Sequence, residues 1–361
     1  MYYLVLFLIS TLFLFVNKNS PLQNKRYLNI SFVLMLLISA FRGYTVGGDL
    51  YNYIPLFEEI SRTDLNTLLA DYTKYGIVFT CYVKFSSLIS SDPTFILFTT
   101  SLINLGLVFY FIKKHSCNYW LSIFIYITMA YYTNTFNSVR SSMALAIGML
   151  AVHYLLENKN WKYLLCCIIA IEIHKTILPI LFIPLLKKIK PSWIILLIPI
   201  VASIFLAQIL DLDMIANLLA LYSDEYAQME SSGSGYSMLA LDIVLTLFAY
   251  YCLRHRLNET NSLMINILCM ATCIQAFAPV FSLTTRMALF FTVYIIVLLP
   301  EIAEKAFTPA SRIIAKSVLT VACLVYFQIF VMTPSMMYED GVESNTQRTI
   351  PYYFYWQNPP K

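Results

Sequence analysis

The sequence predicts an all-α fold: a polytopic transmembrane helical bundle of about 10–12 membrane segments. Composition is the first reason. The chain is 59% hydrophobic and only 12% charged over 361 residues, with a mean hydropathy of +0.68. A soluble domain carries about twice that share of charge. The second reason is periodic: apolar runs of roughly 15–22 residues, long enough to cross a bilayer as helices, recur from Tyr2 to Met332. The short alternating segments of a membrane β-barrel are missing. No polar segment exceeds about 35 residues, so residues 1–361 read as a single integral membrane domain.

Basic loops set the threading, because Lys and Arg are retained on the cytoplasmic side. Residues 18–26, 113–115, 159–162, 187–190, 254–256 and 305–316 are therefore placed inside. Residues 2–16 form an uncleaved first span with its N-terminus outside, since the basic residues follow it. Residues 27–41 return outward and leave 42–75 as an outer segment. The runs 76–89 and 94–112 are two where the charge rule permits an odd number, which suits a re-entrant or interfacial helix for one of them. Residues 120–135 run outward and 143–155 run back, so Asn137 and Arg140 fall outside. Between two basic loops, residues 161–186 are interrupted by His174-Lys175 and Pro179. They read as a hairpin with His174 near its tip, or else one of the loops is external. Residues 193–210 exit, 211–236 form an acidic, Gly/Ser-rich outer loop, and 238–253 return. Residues 263–277 exit, 287–299 return with Arg286 outside, and 313–332 leave 333–361 as an outer tail.

Several chemistries are excluded. There is no phosphate-binding glycine loop for ATP, no HExxH or Cys/His metal spacing, and no G-x-S-x-G elbow. The eight cysteines lie mostly within apolar runs and read as small buried residues. The scattered basic residues, with a net charge of +4, serve topology and give no nucleic-acid surface. No metal and no cofactor is expected.

What is left is a set of charges in costly places. A charge at a bilayer centre costs roughly 2.5–3.5 kcal/mol on insertion scales and less near an interface. Arg42, Asp49, Arg140, His174, Lys175 and Arg286 all sit at the ends of apolar runs or inside them. Arg42 opens Arg42-Gly43-Tyr44-Thr45-Val46-Gly47-Gly48-Asp49, where three glycines permit tight backbone beside two opposite charges. The alternative is an interfacial anchor in which Arg42 snorkels and pairs with Asp49. Asn137 and Arg140 are three apart and share a face if helical, suited to a phosphate and a sugar hydroxyl. Arg140 could equally satisfy exposed helix-end carbonyls. His174 can accept a hydroxyl proton near neutral pH, whereas a Glu172–Lys175 pair would be structural. The aromatic tail 351–356 suits sugar stacking or the membrane interface.

These elements, in this order, resemble the EpsG/Wzy-type bacterial polysaccharide polymerases. Arg42…Val46-Gly47-Gly48-Asp49…Tyr53 resembles their R-x-x-x-V-G-x-D-x-x-x-Y element. Asn137-Ser138-Val139-Arg140 before Met143-Ala144-Leu145-Ala146 resembles N-x-x-R-Q-x-[LM]-A. Ile173-His174-Lys175-Thr176 is similar to F-H-x-S/T, Thr285-Arg286 to a late Arg, and Ile350-Pro351-Tyr352 to the closing segment. Ser141 stands where the family usually has Gln, and Gly48 where Ser or Thr is common.

The resemblance implies a metal-independent, GT-C-like membrane glycosyltransferase of the bacterial inner membrane. Such an enzyme joins undecaprenyl-pyrophosphate-linked oligosaccharide repeat units on the periplasmic face into O-antigen, capsule or exopolysaccharide, and releases undecaprenyl pyrophosphate. It would work among membrane lipid, with a chain-length regulator and a flippase as partners. His174, Asp49 and Arg140 would then be catalytic, with His174 or Asp49 as base. Arg42, Tyr53, Asn137, Lys175, Arg286 and Tyr352 would bind substrate. A lipid-linked oligosaccharide flippase and an O-antigen ligase-like transferase are the alternatives.

Overall fold

A computed structural model describes residues 2–16, 24–71, 75–209, 235–281, 283–337, 343–345 and 348–357. The acidic stretch 211–234 of the expected outer loop lies outside the described residues. The chain divides into two compact units, one of residues 1–178 with 307–361, the other of residues 179–306.

The first unit contains α1 (Tyr2–Val16), α2 (Lys25–Ala40), α3 (Leu50–Arg62), α4 (Leu65–Asp71), α5 (Ile77–Ser87), α6 (Pro93–His115), α7 (Tyr119–Thr128), α8 (Tyr131–Asn137), α9 (Val139–Leu156), α10 (Asn160–Ile173) and, near the end of the chain, α17 (Pro309–Phe327). A 3-10 helix, Lys175–Phe182, follows α10. The second unit contains α11 (Ile183–Lys187), α12 (Trp193–Ile209), α13 (Tyr236–Leu253), α14 (Glu259–Gln275), α15 (Leu283–Thr292) and α16 (Ile295–Lys305). Every apolar run expected from the sequence is helical in whole or in part. Within the tail, β1 (Pro334–Met337) and β2 (Glu343–Asn345) pair antiparallel, a small exception to an all-α fold.

The helix starts are written locally. Asn24 Oδ1 accepts from the amides of Arg26 and Tyr27 at α2, and Asp92 accepts from Thr94 N before Pro93 at α6. Thr308 caps α17 ahead of Pro309, and Asn258 with Asn261 forms a capping box at α14. Each such cap contributes about 1 kcal/mol. Among the described residues four helices are long and apolar enough to span a membrane: α6, α9, α13 and α17 with its π-helical end at Met332. The pair α15–α16, bent by 45°, makes a fifth if counted as one span, and α5, α7 and α12 are shorter apolar helices.

In lipid, helices associate through close packing and hydrogen bonds, since lipid tails are as apolar as leucine. α9 packs along α10 and α6, and α2 along α6. Ala144, Ala146 and Ala151 are fully buried on α9 and keep the approach close. Ser39 Oγ meets Ser101 Oγ at 2.8 Å between α2 and α6. Tyr82 OH reaches Thr99 and Thr100 at 2.7 and 2.9 Å between α5 and α6.

Two expected helices are broken. Ala130, at φ 66°, separates α7 from α8, and Ser138, at φ −103° and ψ 75°, separates α8 from α9. Asn137 and Arg140 therefore do not share one helical face, contrary to the i, i+3 expectation. α10 likewise stops at Ile173, so Glu172 and Lys175 lie on different elements.

Candidate active site

The first unit gathers eight of the nine site residues expected from the sequence, in two adjoining groups. The first group forms where α2 ends. Arg42 is 2% exposed; its Nη1 donates to the Ser39 carbonyl one turn back, and its guanidinium lies 5.1 Å from the Phe136 ring centroid. The tail runs beside it as a short antiparallel bridge, Arg42 opposite Phe354. Gly43 N donates to Tyr353 O at 2.8 Å, Tyr355 N to Phe41 O at 3.0 Å, and Tyr352 OH to Ile38 O at 2.7 Å. Arg42 and Tyr352 here brace the end of α2, 310 positions apart in sequence. Both were expected to bind substrate directly.

The glycine-rich turn connects this brace to the second group. Gly47 has φ +114°, and a Cβ there would overlap the Phe136 carbonyl oxygen, so the turn can lie on α8 only with glycine. Asn137 Oδ1 then accepts the Asp49 amide at 3.1 Å. Asn137, at the end of α8, thus fixes where Asp49 opens α3. The Asp49 side chain does not close onto the first amides of α3.

The second group centres on Arg140, in the first turn of α9. Its Nη2 donates to the Ile173 carbonyl at 3.0 Å, satisfying an exposed carbonyl at the end of α10. Its guanidinium lies 5.4 Å from the Tyr75 ring and 5.5 Å from the Phe79 ring. Arg140 Nε is buried and has no hydrogen-bond partner among the described residues. Tyr53, one turn into α3, packs on Phe57 and edge-on to Phe79. Burial pushes the Tyr53 phenol up to about 12; the Arg140 charge pulls the other way and Asp49 adds to the rise. The phenol is therefore a neutral hydrogen-bonding group at working pH.

His174 is the first residue beyond α10, half-buried and extended at φ −151°. Its Nδ1 is 2.6 Å from Thr176 Oγ1. Gly76, at φ +79°, lets the start of α5 press against this end of α10: a Cβ would overlap the Glu172 carbonyl oxygen. Gly76 and Arg140 thus grip successive residues, Glu172 and Ile173, just before the imidazole. Lys175 is exposed beside it. Arg286 belongs to the second unit, where it is exposed on α15.

Tyr75, Gly76 and Phe79 were not singled out from sequence, and a Tyr-Gly pair at the head of an apolar run was the available sign. Asp242 on α13, only 7% exposed within a spanning helix, was also missed, although a lone Asp in an apolar run is legible. His115 Nε2 meets His153 Nδ1 at 3.0 Å where α6 and α9 end, far along α9 from Arg140. Among the described residues no cluster of His, Cys, Asp and Glu suited to a metal is present.

The arrangement offers an imidazole, a carboxylate, a neutral phenol and a guanidinium from α3, α9 and the end of α10. That is a set able to take a proton from a hydroxyl and to hold an anion. Comparison with known proteins gives one result of scope: a family model described as the EpsG family matches residues 25–354. No curated protein and no solved structure matches the chain.

Proposed function

This chain belongs to the EpsG family, and on that footing we propose that it joins lipid-pyrophosphate-linked oligosaccharide repeat units. The family supports a polysaccharide-polymerase function in a multi-pass membrane protein. The finer reading is a transfer among undecaprenyl-pyrophosphate-linked units on the periplasmic face of the bacterial inner membrane.

The observation that carries it is the contact of Arg140 with Ile173 O, which couples the one guanidinium of the second group to the backbone presenting His174. In the reaction, a hydroxyl of the incoming unit attacks the anomeric carbon of the growing chain. The new C–O bond forms as the bond from that carbon to the lipid pyrophosphate breaks. His174 takes the hydroxyl proton. Arg140 stabilises the charge developing on the pyrophosphate, a role for which a fixed, partly desolvated guanidinium is suited. Asp49, held by Asn137, orients sugar hydroxyls, and Tyr53 donates to them. Arg42 and Tyr352 hold the wall of the site, and Lys175 adds positive charge for the same leaving group.

The test is purified protein with one synthetic lipid-linked repeat unit, its products resolved on a gel. A ladder of lengths supports the polymerase. Intact substrate moved between the leaflets of a liposome would instead support a flippase.

A further inference from the structure

We infer that Arg348, outside every motif read from the sequence, is a binding residue for the diphosphate of a lipid-linked substrate. The assignment rests on the transfer proposed above and names a residue for its leaving group. Arg348 lies in the tail at φ 49°, a left-handed conformation uncommon for residues other than glycine. Such strain persists where neighbours enforce it, and it gathers at ligand clamps. Here the glycine-rich turn does the holding: Gly47 N donates to Arg348 O at 2.9 Å. On the other side Thr349 is fully buried. The Arg348 side chain then runs along Gly48, where a Cβ would meet Arg348 Cδ at 3.8 Å and Asn137 Oδ1 at 3.0 Å. That Asn137 oxygen is the one that takes the Asp49 amide. The tail thus brings a guanidinium to the Asp49–Asn137 edge of the site.

The two other guanidinium groups of this site are engaged by the protein. Arg42 is buried on Ser39 O, and Arg140 holds Ile173 O. Arg348 is exposed, and among the described residues its guanidinium has no hydrogen-bond or ion-pair partner, Asp49 included. An open planar fork of N–H donors matches the paired oxygens of a phosphate. The diphosphate is already charged before its bond to the anomeric carbon breaks. Arg348 therefore binds ground state and transition state alike, which shows in KM, whereas Arg140 acts on turnover.

The test titrates geranylgeranyl diphosphate against the full chain in phosphatidylcholine nanodiscs, with phosphatidylglycerol nanodiscs as a second arm. Arg348→Gly is expected to weaken binding about tenfold, the equivalent of one charged hydrogen bond at an exposed site. KM for the lipid-linked repeat unit rises by the same factor. Glycine adopts a positive φ freely, so the thermal midpoint of this variant does not fall. Arg348→Gln keeps the length and loses the charge; it shows the same weakening, and it decides alone if the glycine variant fails to insert. Unchanged diphosphate affinity in either variant overturns the inference, and so does a midpoint that falls together with binding. Diphosphate affinity that vanishes in phosphatidylglycerol also overturns it, because the residue then serves a phospholipid headgroup. A wild type that binds the diphosphate through Arg348 yet forms no ladder removes the transfer reading instead and leaves the site standing.

Discussion

Arg140→Lys separates charge from geometry at the centre of the site. Lysine keeps the positive charge and loses the planar fork. The guanidinium donates to Ile173 O at 3.0 Å while lying 5.4 and 5.5 Å from two aromatic rings. A hydrogen bond from a charged group contributes about 1.5–3 kcal/mol, and a cation–π contact about 0.5–1 kcal/mol at a partly exposed site. An ammonium cannot satisfy all of these from one position, so the loss is about 2–4 kcal/mol. Arg140 is half-buried, which puts the expectation at the lower end. At one decade per 1.36 kcal/mol, about 2 kcal/mol sets a ceiling of a roughly 30-fold fall in turnover, reached when the whole loss falls on the placement of His174, and the rest lowers the thermal midpoint. The assay is ladder formation by purified enzyme on a lipid-linked repeat unit, with membrane insertion and thermal midpoint measured alongside. A Lys variant that inserts and polymerises at the wild-type rate would refute the claim that guanidinium geometry places His174.

Two further substitutions probe how the site is held. Gly76→Ala puts a methyl group on the Glu172 carbonyl at a φ of +79°, and such backbone strain costs about 1–3 kcal/mol. Melting of the detergent-solubilised protein should shift down and polymer should be lost, and an unchanged midpoint would show that α5 and α10 do not press together there. Asn137→Ala deprives the Asp49 amide of its acceptor, at a cost of about 1–3 kcal/mol for a partly buried donor. Activity should fall at least tenfold with insertion intact, and Asn137→Asp, which keeps an acceptor oxygen, should retain more activity than Ala.

Much of this was legible in the chain because lipid imposes so simple a rule. Each apolar run became helix, and the caps Asp92-Pro93 and Thr308-Pro309 mark starts that can be read by eye. Of the residues standing out against those runs, Asp49, Tyr53, Asn137, Arg140 and His174 lie in one unit and Arg286 in the other. What could not be read were contacts between distant positions. Nothing near Asn137 says that its side chain will hold an amide 88 residues earlier, or that this demands a break at Ser138 instead of a continuous helix. Arg42 looked like a group reaching for substrate because its burial depends on Ser39, Phe136 and a tail 312 positions away. Arg140 kept two readings, anion binder and helix-end donor; that one of its guanidinium nitrogens meets the last carbonyl of α10, 33 residues on, was not written near it. Gly76 is one glycine among nine until its dihedral and the carbonyl opposite are known.

Carrier release and linkage formation are tied one to one in a transfer of this kind. Purified protein is given one lipid-linked repeat unit, and the lipid pyrophosphate released is counted against the glycosidic linkages formed, for the wild type and for His174→Ala. One released carrier per new linkage is expected in the wild type, and neither product from the variant. Linkages formed without carrier release, or a His174→Ala enzyme matching the wild type in both counts, would contradict it.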